Sequence, residues 1–145
     1  MSFKSEAKID LELLESGDLK VRFNSECLND LTIKRAGVPK EKIGAEAREL
    51  LAASLAECMC STLFFLLDWA KVKFTGFRAS AYVATGKDEK GSVHVDSINL
   101  AISLKIPKDE ETLEKFKRVE SLFKKGCLMS RSLERGIRVG YSITI

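Results

Sequence analysis

Between Ala7 and Leu13 the apolar residues Ala7, Ile9, Leu11 and Leu13 stand at odd positions, against Lys8, Asp10 and Glu12. A period of two marks a half-buried strand with an odd-numbered apolar face. Ser16-Gly17-Asp18 predicts a tight turn, after which Leu19, Val21 and Phe23 repeat the alternation with Lys20 and Arg22 outward, so the two strands read as a hairpin. A third strand around 28–34 puts Leu31 and Ile33 inward, and the same register aims Arg35 toward the core side. Ala36-Gly37-Val38-Pro39 ends it. A helix from about Gly44 to Ala70 follows, with Glu46 and Glu49 placed to favour its positive dipole end. Phe77, Ala79, Ala81 and Val83 then share one face of a strand that turns at Gly86-Lys-Asp-Glu-Lys-Gly91. Its return partner carries Ile98, Leu100, Ile102, Leu104 and Ile106 on one face, which sets the register. Leu113, Phe116, Val119, Leu122 and Phe123 recur at helical spacing up to Lys124-Lys125-Gly126. A short helix over 128–135 ends at Gly136, and Ile137, Val139, Tyr141, Ile143 and Ile145 predict a last strand. The class is α+β, in a single domain spanning residues 1–145 without a linker or repeat.

The long helix changes the picture most. From Leu50 to Leu67 its one formal charge is Glu57, so the run is first tested as a membrane span. A carboxylate near the middle costs roughly 2.5 kcal/mol or more in a bilayer, and the flanking segments are amphipathic. The expected role is the buried axis of a fold. At 1.5 Å per residue it extends roughly 40 Å, against a radius of gyration of roughly 15 Å for a compact chain of this size. Part of its cover is therefore expected from a second copy, in a homodimer.

A chain of 145 residues buries a core without staples. Its 24 Lys and Arg against 21 Asp and Glu are interspersed and leave a net charge of +3, too little to imply nucleic acid. The N-terminus alternates charges with apolar residues and lacks a signal peptide's apolar core, so a cytoplasmic protein with no membrane association is expected. No cofactor motif is present.

Four cysteines are too few for a disulfide scaffold and point to redox, burial or metal binding. Cys58-Met-Cys60 resembles half a metal site, with Cys27, Cys127 or His94 as further donors. Residues two apart on a helix diverge by roughly 200°, so no metal is expected. Cys60 and Cys27 are read as small buried hydrophobes, and His94 as a partly buried, hydrogen-bonded residue. Cys127 follows a helix-ending glycine at the start of the next helix, where free N–H groups lower a thiol pKa. Cys58, mid-helix among apolar residues, has its thiolate disfavoured by desolvation and needs a cation brought from elsewhere.

The pattern Glu49-Leu-Leu-x-x-x-Leu55-x-x-Cys58-x-x-x-Thr62-Leu63, followed later by Cys127-Leu-Met-Ser130-Arg-Ser132-Leu133, resembles the OsmC/Ohr family of osmotically induced and organic hydroperoxide resistance proteins. The order of elements agrees over nearly the whole chain. The resemblance implies antiparallel sheets wrapped around a long central helix in an intertwined homodimer, with the site at its interface. It also implies a thiol peroxidase acting in the oxidative stress response. Cys58 is then the peroxidatic cysteine, oxidised to a sulfenic acid, and Cys127 the resolving cysteine that forms a disulfide with it. An external dithiol, dihydrolipoyl or thioredoxin-like, reduces the disulfide. The family's activating arginine and its glutamate partner correspond to Arg35 and Glu49. The chain departs from the family pattern at Arg48, at Leu128 in place of a proline, and at Glu57, whose charge opposes a Cys58 thiolate. The expected substrate is an alkyl or fatty-acid hydroperoxide in a pocket lined by Met59, Leu63, Phe64 or Met129. The alternative is a non-catalytic relative that binds a small apolar or acyl-bearing ligand in the same cleft. A purely structural dimer with inert thiols is the least favoured reading.

Overall fold

The computed structural model describes residues 5–145. The chain forms two compact units, one ending at Ala47 and the other spanning Arg48–Ile145.

The first unit is a three-stranded antiparallel sheet, β1 (Asp10–Leu13), β2 (Leu19–Arg22) and β3 (Leu31–Ile33), in the order β1-β2-β3. Leu11 pairs with Val21 and Val21 with Leu31, so the odd residues share a face as the alternation requires. Only part of that face is covered, since Val21 is buried while Leu11 and Leu13 are exposed. Across the other face Arg22 bonds Glu12, which keeps it at the surface as expected. The Asp18 carboxylate accepts from the backbone N–H groups of Ala36 and Arg35, at 2.9 and 2.7 Å, and these bonds hold its pKa below the usual carboxylate range. They tie the hairpin turn to the segment after β3. A single 3-10 turn at Lys40–Lys42 leads into the long helix.

That helix, α1 (Glu46–Trp69), runs for 24 residues, about 36 Å at 1.5 Å each. It ends without glycine. Lys71 takes φ 59°, Lys71 N–H bonds the Asp68 carbonyl at 3.0 Å, and Val72 N–H reaches back to Leu67 at 2.9 Å. This left-handed cap buries Val72 against the last turn. Sequence punctuation could not mark it, because lysine is a poor occupant of that conformation.

The hairpin β4 (Thr75–Lys87) and β5 (Val93–Lys105) pairs Ala81 with Leu100 and Val83 with Ile98. Ile98, Leu100, Ile102 and Leu104 of β5 thereby turn inward, as its alternation predicts. Two helices complete the unit. Asp109 caps α2 (Glu110–Phe123) by accepting from Thr112 N–H at 2.8 Å, and α3 is Leu128–Arg135. The core gathers Leu63 and Leu67 of α1, Val72, and Val119 of α2, with Phe77, Ile102 and Leu104 packed against them. Leu67 and Val119 are wholly buried, and each contributes about 1.5–3 kcal/mol by the area it removes from water.

By length and composition alone, α1 is long and apolar enough to cross a membrane. Its Ala52, Leu55, Cys60, Leu63 and Leu67 are buried by the protein itself, whereas Leu50, Phe65 and Trp69 are exposed. Half the helix is thus a core helix and one flank is uncovered.

The expected last strand is absent among the described residues. Residues 137–145 form no ladder, and Val139 and Tyr141 are 87% and 89% exposed. Alternation specifies two faces of a strand, but a strand also needs an edge that supplies its hydrogen bonds. No described edge in this chain does so.

Candidate active site

The second unit brings Cys58 and Cys127 together. Cys127 is the N-cap of α3, and its Sγ accepts from Ser130 N–H at 3.3 Å. In return Ser130 Oγ accepts from Cys127 N–H at 2.8 Å. This is a capping box built on a thiol. Gly126, at φ 79°, makes it possible: a Cβ there would stand 2.6 Å from Ser130 Oγ. Arg131 secures the junction from the other side, its Nη1 donating to the Gly126 carbonyl at 2.8 Å and so satisfying backbone left open where α2 ends.

The two thiols act on each other, and their surroundings drive them apart in acidity. Burial pushes the Cys58 thiol up, the Met129 N–H draws it back in part, and the adjoining Cys127 sulfur and the Glu57 carboxylate raise it further. Burial also acts upward on Cys127, which is 4% exposed. There it is outweighed by donation from Ser130 N–H, the Cys58 thiol, the Ser130 hydroxyl and Met129 N–H, so Cys127 falls below the ordinary thiol range. Of the two, Cys127 is the thiol whose deprotonated form the surroundings favour.

Ser130 also lines a cavity of about 620 Å³, whose walls include neither cysteine. Leu51, Leu55 and Met59 of α1, Ile98 and Leu100 of β5, and Ser130 and Leu133 of α3 line it. Its size and apolar lining suit a small organic molecule. Ser130 belongs both to this wall and to the Cys127 cap, and Met59 adjoins Cys58.

A family model described as OsmC-like protein matches residues 39–142. The chain belongs to this family. The OsmC-like protein also has the fold of solved relatives. One from Mycoplasma pneumoniae, an OsmC-like protein, superposes with a TM-score of 0.67 at 17% identity, over 91% of this chain and 89% of that one. A hydroperoxide resistance protein from Jannaschia gives 0.52 at 16% identity over 93% and 89%. An organic hydroperoxide resistance protein from Elizabethkingia anophelis gives 0.53 at 19% identity over 85% and 88%. These likenesses establish the α+β architecture of antiparallel sheets and a long helix. No curated protein matches the chain.

Cys60 meets its expectation, buried at 9% exposure on the core side of α1, where burial first and Glu57 second raise its thiol pKa. Cys27 does not. It is exposed after a short turn in which its N–H bonds Ser25, because the segment before β3 has no layer above it in its own unit. His94 is likewise exposed and faces Asp96 at 3.7 Å, since β5 runs past the core at that end. Of the expected pocket residues Met59 lines the cavity, whereas Leu63 is core and Phe64 stacks with Phe74 and packs edge-on against Phe77.

Glu49 is exposed near the start of α1. Nine residues along an ideal helix place it about 180° around and about 13.5 Å along the axis from Cys58, so it cannot act on that sulfur directly. Arg35 lies two residues past the end of β3, exposed, in the first unit. The strand register that aimed it inward ends before reaching it. Sequence reasoning named Gly126 and Ser130 around Cys127 but missed the cap they build and the Met129 N–H. The signal was available as Gly-Cys-x-x-Ser, a capping box with cysteine in the place of serine.

Proposed function

We propose that this OsmC-like protein is a thiol peroxidase that reduces organic hydroperoxides with Cys58 and Cys127. The observation that carries this reading is the pairing of Cys58 with Cys127, the thiol that caps α3 through Ser130, a residue that also lines an apolar cavity. Relatives of the same fold named for hydroperoxide resistance support it. Both units are read as one OsmC-like domain of a cytoplasmic homodimer. The exposed Phe65 and Trp69 of α1, the open face of β1 and the unpaired alternating segment 137–145 supply the surface that a second copy would cover.

The chemistry balances within the pair. The proton of Cys58 passes to Cys127, and the Cys58 thiolate attacks the terminal oxygen of the hydroperoxide. The O–O bond breaks, leaving a Cys58 sulfenic acid and an alkoxide that takes the proton from Cys127 and departs as the alcohol. The regenerated Cys127 thiolate attacks the sulfenic sulfur, expels hydroxide and closes the Cys58–Cys127 disulfide. An external dithiol, dihydrolipoyl or thioredoxin-like, returns two electrons by thiol exchange. Arg35, held by Glu49, is the proposed cation that draws Cys58 toward its thiolate against burial.

The deciding experiment treats reduced protein with one equivalent of cumene hydroperoxide. One equivalent of cumyl alcohol, the loss of two thiols and a Cys58–Cys127 peptide link are expected. Intact thiols after the peroxide has been present for hours would favour the second reading, a non-catalytic OsmC-like protein binding an apolar or acyl-bearing ligand in the cavity. What favours that reading is Glu57, the charged group found to act on Cys58, whose sign opposes a thiolate.

A further inference from the structure

The walls of the cavity that Ser130 lines are apolar, but the charges on them have one sign. Asp96 of β5 and Glu134 of α3 both line it, and no Lys, Arg or His does. One cation of α3 is engaged elsewhere. Arg131, one turn before Arg135 on α3, gives its guanidinium to the Gly126 and Lys125 carbonyls. His94 stands 3.7 Å from Asp96, and both are exposed. Among the described residues Glu134 forms no ion pair.

A ligand carboxylate entering this space would leave water, meet two like charges and find no cation to replace its hydration. A neutral chain loses nothing comparable and gains by burying apolar surface. From the one-signed lining we infer that the cavity selects uncharged alkyl or aryl hydroperoxides and discriminates against those with a free carboxylate, with Asp96 and Glu134 as the specificity determinants. This narrows the expected substrate class by removing free fatty-acid hydroperoxides from it. The inference rests on reading the cavity as the substrate site.

The test separates binding from turnover. Nile red, a neutral fluorophore, is bound to the full chain at pH 8 and displaced by decanol or by decanoate. Decanol is expected to displace it at a concentration roughly tenfold lower, equivalent to about 1.4 kcal/mol. Asp96→Asn with Glu134→Gln should close most of that gap, and 0.5 M salt should narrow it in the unaltered protein, which covers the case of a variant that does not fold. Equal displacement by the two ligands, stronger displacement by decanoate, or no binding of Nile red would each overturn the inference. So would a gap indifferent to both the substitutions and salt. The parallel assay compares linoleic acid hydroperoxide with its methyl ester by kcat/KM, with the ester expected to lead by a similar factor. If no hydroperoxide is turned over while the decanol preference persists, the peroxidase reading fails and the charge selection stands as a property of a ligand pocket.

Discussion

Cys58 and Cys127 lie close enough for each thiol to act on the other, and the structure around the pair raises the pKa of the first and lowers that of the second. A dithiol arranged in this way titrates as a unit, and its lower step belongs mainly to the sulfur at the helix N-terminus.

Thiolate absorbance near 240 nm should therefore show a first step below the ordinary thiol range. Cys127→Ser is expected to remove that step. Cys58→Ser should move it upward, because the S–H donor becomes a neutral hydroxyl that is no longer matched to sulfur. A lower step that survives in Cys127→Ser would reverse the assignment.

The two single mutants should also differ in peroxide chemistry. Cys58→Ser is expected to abolish consumption of cumene hydroperoxide. Cys127→Ser keeps a competent cap for α3 but removes the resolving sulfur, so one slow oxidation should leave a sulfenic acid trapped by dimedone. Equal rates in the two mutants would exclude the division of roles.

Ser130→Ala removes the hydroxyl half of the capping box, and a loss of about 1 kcal/mol in urea unfolding is expected. The lower thiol step should rise at the same time, since that hydroxyl is one of the groups that hold Cys127 down. Gly126→Ala combines a left-handed backbone with a Cβ 2.6 Å from Ser130 Oγ. It should cost about 1–3 kcal/mol. Unchanged urea midpoints in both would show that the thiol box does not hold the α2–α3 junction.

Arg35→Met should slow Cys58 oxidation at neutral pH and recover part of the rate at alkaline pH, because loss of a cation raises the pKa of the attacking thiol. Arg22→Met, whose guanidinium already bonds Glu12 at the surface, should change little. Superimposable pH profiles for all three proteins would remove Arg35 from the mechanism and favour the ligand-binding reading.

In solution the chain should sediment as a dimer at micromolar concentration. Truncation after Gly136 removes the alternating residues 137–145 and is expected to weaken association by at least tenfold or to yield insoluble protein. A truncated chain that remains an equally tight, folded dimer would mean that the segment is not part of the interface.

Periodicity in this sequence determined the elements that depend on neighbours within a few residues. The two hairpins, the long helix, both shorter helices and the inward face of β5 all lie where alternation or helical spacing puts them. The motif residues around Cys58 and Cys127 likewise determined the family, because they repeat a spacing that the fold imposes. Contacts between distant segments were another matter. That Cys58 lies against Cys127 depends on how α3 docks beside α1, which no local pattern encodes. The lower acidity at Cys58 and the higher acidity at Cys127 follow from that docking, since pKa is set by donors, charges and burial in space. Cys27 and His94 came out exposed for the same reason: residue type states a preference for burial, while only packed neighbours supply it. The final alternating segment is the clearest instance. Its side-chain pattern specifies a strand, but the hydrogen bonds that make a strand belong to its neighbour, and none of the described residues supplies them.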